Sequence, residues 1–264
     1  MPYVELPAGR FFYRYDGPTG APLIVLSHSL GADCSMWERQ MPAFTRQFRV
    51  LRYDSRGHGR SASPRGPYTI EDLGQDALDL YRALGINRTQ FCGLSMGGMV
   101  GMWLAANAPE CVDRLGLCNT AARLRPPQLW DARIDAVRSH GMAAVVQAVL
   151  ARWFTPAFIN ANPSEIAAMR HMLETTPAPG YIASCEAIRD MDQRAMLSRI
   201  TAPTLVVAGA LDAATPPDDG RFLASAIPGA RYIELSAAHL SNIEATKAFN
   251  DAVLRFFSGE DVGE

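Results

Sequence analysis

Between Thr89 and Asn107 a short apolar run passes through Gly93-Leu94-Ser95-Met96-Gly97 into a second, longer apolar run. Few folds accept that arrangement. Thr89-Gln90-Phe91-Cys92 reads as a buried strand, and Met96 to Asn107 has the length of a buried helix that stops before Pro109. A serine on so tight a strand-to-helix turn must take a strained backbone conformation. Gly93 and Gly97 lack the β-carbons that would clash there. The Ser95 hydroxyl is then exposed at the end of the strand, with the N–H of Met96 beside it at the start of the helix. The pentapeptide alone arises by chance in roughly one chain in ten of this length, because Gly and Ser each make up about 7% of residues. Its strand–turn–helix setting carries the argument.

The 264 residues suffice for a full core, as one large domain or one domain with an insertion. A formal charge of −2 argues against a nucleic-acid partner, which would need a basic face. Lys247 is the only lysine, so Schiff-base chemistry is discounted. The five cysteines form an odd set without a C-x-x-C pair, and most sit in apolar runs as small core residues. None of His28, His58, His140, His171 and His239 falls at a metal-ligand spacing, so neither a metal nor another cofactor is expected. Met1 to Leu6 lacks the pattern of a signal peptide, which points to a cytoplasmic location. Cys92 to Pro109 carries no charge, but its four glycines and the turn argue against a membrane span.

In chain order, Tyr3–Leu6 and Phe11–Tyr15 read as a hairpin around Pro7-Ala8-Gly9. Leu23–Leu26 and Val50–Tyr53 are doubly buried strands, with a helix expected between them over Met36–Phe48. A polar loop, Asp54 to Ser61, follows. Thr69 and Asp72 then open an amphipathic helix through Leu84, which Gly85 stops. Val112–Cys118 is a further strand. Strands alternating with helices predict an α/β fold with a mostly parallel central sheet flanked by helices. The pattern changes at Thr120. Residues 121–198 contain no strand-like run, and helical patterns fall at Leu129–Ser139, Met142–Trp153, Pro163–Glu174 and Tyr181–Met191. Strand grammar resumes at Pro203–Gly209 and Arg231–Leu235. The expected organisation is a core over 1–120 and 199–264, interrupted by a helical cap over 121–198.

Asp212 and His239 each fall just after a predicted strand, as Ser95 does. In an open parallel sheet those strand ends share one crevice, so the three converge in the order nucleophile, acid, base. His239 would take the proton of Ser95, and Asp212 would fix the imidazole tautomer. Asp218 and Asp219 lie close enough in sequence to be alternative acids. The loop after Leu23–Leu26 would supply a second oxyanion donor, the N–H of Leu30, beside that of Met96.

With these residues in view, the chain resembles the α/β-hydrolases over its whole length. The resemblance runs through the His28 loop, Asp54-x-Arg56-Gly57-His58-Gly59-x-Ser61, Gly93-Leu94-Ser95-Met96-Gly97-Gly98, and Asp212 followed by His239. More narrowly it is similar to the 3-oxoadipate enol-lactonases. Ser29-Leu30-Gly31-Ala32-Asp33-x-Ser35-Met36-Trp37, Asn119-Thr120-Ala121-Ala122-Arg123, Trp130-x-Ala132-Arg133-Ile134, Arg152-Trp153-Phe154-Thr155-Pro156 and Ala213-Ala214-Thr215-Pro216-Pro217 carry that likeness. It implies a serine hydrolase of aromatic catabolism that opens a small anionic lactone, 3-oxoadipate enol-lactone, to 3-oxoadipate. The His-Gly pair common at the oxyanion loop of the wider family is His28-Ser29 here, which leaves a contact from the Ser29 hydroxyl open. The lactone's carboxylate needs a cation. Arg133 is expected to bind it and Trp130, three residues away on the same helical face, to pack against the ring. Arg123 and Arg152 are the other cap arginines suited to the role. His28 and His58 read as loop residues that order the rim, and Trp37, Trp103 and Trp153 as packing residues. A general esterase, a C–C bond hydrolase, a perhydrolase or a slow-turnover ligand sensor would carry the same core residues.

Overall fold

Hydrophobic pattern and turn chemistry account for most elements of the computed structural model, which describes residues 3–124 and 126–260. Eight strands form one sheet: β1 (Tyr3–Leu6), β2 (Gly9–Asp16), β3 (Leu23–Ser27), β4 (Arg49–Tyr53), β5 (Thr89–Leu94), β6 (Val112–Cys118), β7 (Thr204–Gly209) and β8 (Arg231–Leu235). Their order is β1-β2-β4-β3-β5-β6-β7-β8. The first two ladders are antiparallel, as hairpin grammar predicts, and β4 onward pair in parallel. β5 and β7 are buried at every residue, which is why Phe91 to Leu94 and Leu205 to Gly209 are continuous apolar runs rather than alternating ones.

The flanking helices follow from equally local signals. α1 is a single turn (Met41–Phe44), and α2 (Ile70–Ala83) opens with a reciprocal capping box between Thr69 and Asp72. It buries Ile70, Leu73, Ala77 and Leu80 and ends at Gly85, whose φ of 68° suits a residue without a β-carbon. α3 (Met96–Asn107) is apolar almost all round because it is buried almost all round, packed on β3, β5 and β6. The single helix expected over Met36–Phe48 is instead a 3₁₀ segment, Cys34–Gln40, followed by α1. The Met41 N–H reaches back only three residues, to Glu38, and Pro42 has no N–H with which to continue an α-helical ladder.

Between β6 and β7 the described residues form helices only: α4 (Pro127–His140), α5 (Ala143–Trp153), α6 (Pro156–Ala161), α7 (Pro163–Thr175) and α8 (Ala178–Asp190), then a 3₁₀ turn, Arg194–Arg199. The sequence pattern misses α6, where Pro156 had read as punctuation. It is the first residue of a helix capped by Thr155 Oγ1, which accepts from Phe158 N at 3.2 Å. α9 (Pro217–Ala226), the single turn α10 (Ser241–Glu244) and α11 (Thr246–Phe257) complete the fold.

The helical stretch is fastened over the carboxyl ends of the strands. Thr176 Oγ1 donates to Gly31 O at 3.1 Å, and Arg39 pairs with Glu165 at 2.6 Å. Gly57 and Gly180 pass so closely that a β-carbon on Gly180 would lie 2.3 Å from the Gly57 Cα. Among the described residues no helix is long and apolar enough to cross a membrane.

Candidate active site

Ser95 sits between β5 and α3 with φ 56° and ψ −116°, outside the regions an L-residue favours. Neighbouring glycines make the turn feasible: a β-carbon on Gly93 would lie 2.0 Å from Gly97 O, and one on Gly97 would lie 2.2 Å from Ser27 O. Hydrogen bonds hold the strained residue in place. Ser95 N donates to Cys118 O at 2.9 Å, while Thr120 Oγ1 and Met99 N donate to Ser95 O at 2.7 and 3.1 Å.

His239 lies in the loop after β8 and Asp212 in the loop after β7. The two meet with Nδ1 and Oδ2 2.8 Å apart. The carboxylate is saturated with donors. Its Oδ1 accepts from Ala214 N and Thr215 N at 2.7 and 3.0 Å; its Oδ2 also accepts from Asn119 Nδ2 at 3.0 Å and Thr215 Oγ1 at 2.8 Å. Burial pushes the Asp212 carboxyl upward, but the charge of His239 and the hydrogen bonds from His239, Asn119 and Thr215 outweigh it and hold the pKa at about 2. A permanently ionised acceptor at Nδ1 keeps the imidazole proton there, leaving Nε2 as the basic nitrogen. Asp219 makes no such contact. Burial and the charges of Asp212 and Asp218 raise its pKa to about 6.

Ser95 and His239 open onto one cavity of about 60 Å³, lined also by Ser29, Leu30, Trp130, Arg133, Arg152, Trp153, Tyr181 and Thr215. At ~10–15 Å³ per water by this measure, it has room for a ligand about as large as five waters. Ser29 N is taken by Met36 Sδ at 3.3 Å. Among the described residues neither Leu30 N nor Met96 N has a protein acceptor. Two buried N–H groups left open beside a serine are the arrangement that stabilises an oxyanion.

His28 and His58 brace the loop that carries Leu30. His28 Nε2 accepts from Ser55 N at 2.9 Å, and His58 Nε2 accepts from Gly31 N at 3.0 Å. Burial, with the neighbouring His28, drives the His58 pKa down to about 3, so it stays a neutral acceptor. The structure also gathers Asp33, Cys34 and Asp54, which sequence spacing does not connect. Both carboxylates are already engaged: Asp54 accepts from Cys34 N and Arg60 N, each at 2.8 Å, and Asp33 accepts from Ser35 N.

Arg133 and Trp130 share a face of α4 that looks into the cavity, but the Trp130 ring is covered by the guanidinium itself, 4.8 Å from its centroid. The cation, and not a ligand ring, therefore takes that aromatic face. Arg152, considered from sequence only as a substitute, lines the same cavity. Arg123 does not, being paired with Asp192 at 3.5 Å. Trp153, expected to serve packing alone, contributes to the wall as well.

Three further residues were given no role from the sequence, although Asn119 and Thr215 lie in stretches that carry the family resemblance. Asn119, at φ 44°, donates to Asp212, and its Oδ1 accepts from Ser241 Oγ at 2.5 Å. Thr215 touches both Asp212 and His239. Glu244 accepts from Ala238 N at 2.9 Å and also from the hydroxyl and N–H of Thr155. On the other side of His239, Leu240 N donates to Trp153 O at 3.0 Å.

A serine on a strained strand-to-helix turn at the carboxyl edge of a mostly parallel sheet, with an aspartate after β7 and a histidine after β8, matches the α/β-hydrolase architecture. The model of the α/β hydrolase fold family matches residues 22–246, and the chain belongs to that family. It is 42% identical over 241 residues, 91% of this chain and 90% of the other, to 3-oxoadipate enol-lactonase 2 of Acinetobacter baylyi. To 3-oxoadipate enol-lactonase 1 of the same organism the identity is 38% over 246 residues, 93% and 91% of the two chains. The crystal structure of the enol-lactonase from Burkholderia xenovorans LB400 superposes with a TM-score of 0.96 at 47% identity, covering 97% of this chain and all of that one.

Proposed function

We propose that the protein is a carboxylic ester hydrolase that opens 3-oxoadipate enol-lactone to 3-oxoadipate, with Ser95, His239 and Asp212 as its triad. The observation that carries this reading is a single small cavity with Ser95 and His239 on its floor and guanidinium groups in its wall. Its small size suits a compact lactone, and its cations suit a carboxylate arm. The similarity to enol-lactonases over nine-tenths of the chain supports the same substrate.

In this mechanism His239 Nε2 takes the Ser95 proton as Oγ bonds to the lactone carbonyl carbon. Asp212 stabilises the imidazolium, and the N–H groups of Leu30 and Met96 hold the oxyanion. When the ring C–O bond breaks, the ring oxygen takes the proton from His239 and leaves as an enol, which becomes a ketone. Water, giving its proton to His239, then cleaves the acyl-enzyme, and that proton returns to Ser95. Arg133 anchors the carboxylate arm throughout, with Trp130 holding the guanidinium flat.

Purified protein should be screened spectrophotometrically against enol-lactones and simple p-nitrophenyl esters. Turnover of the anionic enol-lactone with a kcat/KM well above that of neutral esters is expected. Stoichiometric rather than catalytic hydrolysis would favour a ligand sensor, and preference for neutral esters would favour a general esterase.

A further inference from the structure

The cavity wall carries two guanidinium groups and, among the described residues, no carboxylate. Among the described residues neither Arg133 nor Arg152 has an acidic partner, whereas Arg39, Arg52, Arg56, Arg189 and Arg221 all do. The chain as a whole is slightly acidic, so this is a local excess of positive charge in a confined space. The two cations feel each other: burial, then the charge of Arg133, lowers the pKa of Arg152. Close, partly desolvated like charges without counter-charge raise the energy of the empty site, and an anion placed between them relieves it. The lactone proposed above brings one negative charge. Its hydrolysis product brings two, and the second is created at Ser95, where the open N–H groups of Leu30 and Met96 can donate to an oxyanion.

We infer that the cavity is a binding site for free short α,ω-dicarboxylates, one carboxylate held between Arg133 and Arg152 and the other against the N–H groups of Leu30 and Met96. The inference deepens the hydrolase reading by naming Arg152 as the second half of the clamp and a dianion of product length as a competitive inhibitor. Linear six-carbon acids separate the two halves of the site cleanly. Adipate can reach both ends, whereas hexanoate offers the same chain with a single carboxylate. A charge-assisted hydrogen-bonded contact contributes enough that losing one end should weaken binding tenfold or more.

The test is calorimetric titration of the full-length protein with adipate and with hexanoate, repeated for Arg152→Gln and Arg133→Gln after circular dichroism and Tm have verified their folds. Adipate should bind one per chain with a Kd at least tenfold below that of hexanoate and compete with p-nitrophenyl acetate. Each glutamine variant should lose most of the difference. Equal binding of the two acids by the unaltered protein would overturn the inference without need of any variant, as would full adipate affinity in Arg152→Gln. Turnover of p-nitrophenyl acetate in the same samples keeps the two readings apart. An active hydrolase that ignores adipate sinks only this inference, and an inactive protein that binds adipate tightly sinks only the hydrolase.

Discussion

Replacing Asp212 by asparagine preserves shape and removes one acceptor oxygen, and the surroundings determine the consequence. Oδ1 faces two backbone N–H groups, those of Ala214 and Thr215, while Oδ2 faces His239, Thr215 Oγ1 and Asn119 Nδ2. The asparagine must point its amide NH₂ at one of these sets. Turned toward the backbone, it would strand two N–H donors that cannot rearrange, at about 1–3 kcal/mol each. Turned toward the histidine, it strands only Asn119 Nδ2, because the Thr215 hydroxyl can rotate and the imidazole can shift its proton to Nε2. The second orientation wins by roughly one stranded donor. It also disables the base, since Nε2 then carries a proton and cannot accept that of Ser95. Asp212→Asn should therefore fold, lose about 1–3 kcal/mol of stability, and lose kcat by ~10⁴, the size of the same effect in a serine protease. At about 2–4 °C per kcal/mol for a chain somewhat shorter than this one, the Tm should fall by no more than about 12 °C. Initial rates on p-nitrophenyl acetate and a thermal melt measure both. A variant that keeps more than a tenth of its kcat would refute the reasoning, as would Asp219→Asn causing the loss instead.

Asp219→Asn should change stability rather than rate, in a pH-dependent way. A carboxyl raised to about 6 costs folding stability as pH rises through that value, so the variant should melt above the unaltered protein at pH 8, with the gap closing below about pH 4. Ser95→Ala should keep its fold and lose several orders of magnitude in kcat, and retention of most activity would remove Ser95 from the mechanism. Arg133→Ala should lower kcat/KM for the anionic lactone by about 10–150-fold and leave a neutral ester of similar size nearly unaffected. An equal loss on both would give Arg133 a structural role only. Dialysis against chelator should leave the rate unchanged, and activity restored by zinc would overturn the metal-free mechanism.

How much of this was legible in the sequence depended on whether geometry or only proximity was at stake. The elbow could be read because Gly93 is dictated by the backbone of Gly97 and Gly98, within four residues of Ser95, although Gly97 answers to Ser27 on the neighbouring strand. The strand ends could be read because doubly buried strands are unbroken apolar runs. Asp212 was preferred to Asp218 and Asp219 because it follows the strand most closely, but the alternatives stayed open, since the three lie within eight residues and differ in what faces them across the loop. Asn119 stayed silent for the same reason: its left-handed backbone and its bond to Asp212 depend on a contact 93 residues away. Arg133 announced itself through its helical spacing from Trp130. Arg152 was legible only as a substitute beside Arg123, because what sets it apart is the absence of a carboxylate opposite among the described residues, which no linear pattern records.

The residues on either side of His239 are both moored to the helical stretch: Leu240 N to Trp153 O directly, and Ala238 N to Thr155 through Glu244. Arg152 and Trp153 belong to that same short segment and line the cavity. A roof that swung away at this point could not leave the base undisturbed, because the bonds to be broken are those that hold the histidine loop. Opening of the cavity at this point and the placing of the His239 imidazole would thus be mechanically interlocked, as a door switch interrupts the circuit it guards. Any widening of the entrance to admit bulkier esters would have to be made elsewhere on the rim.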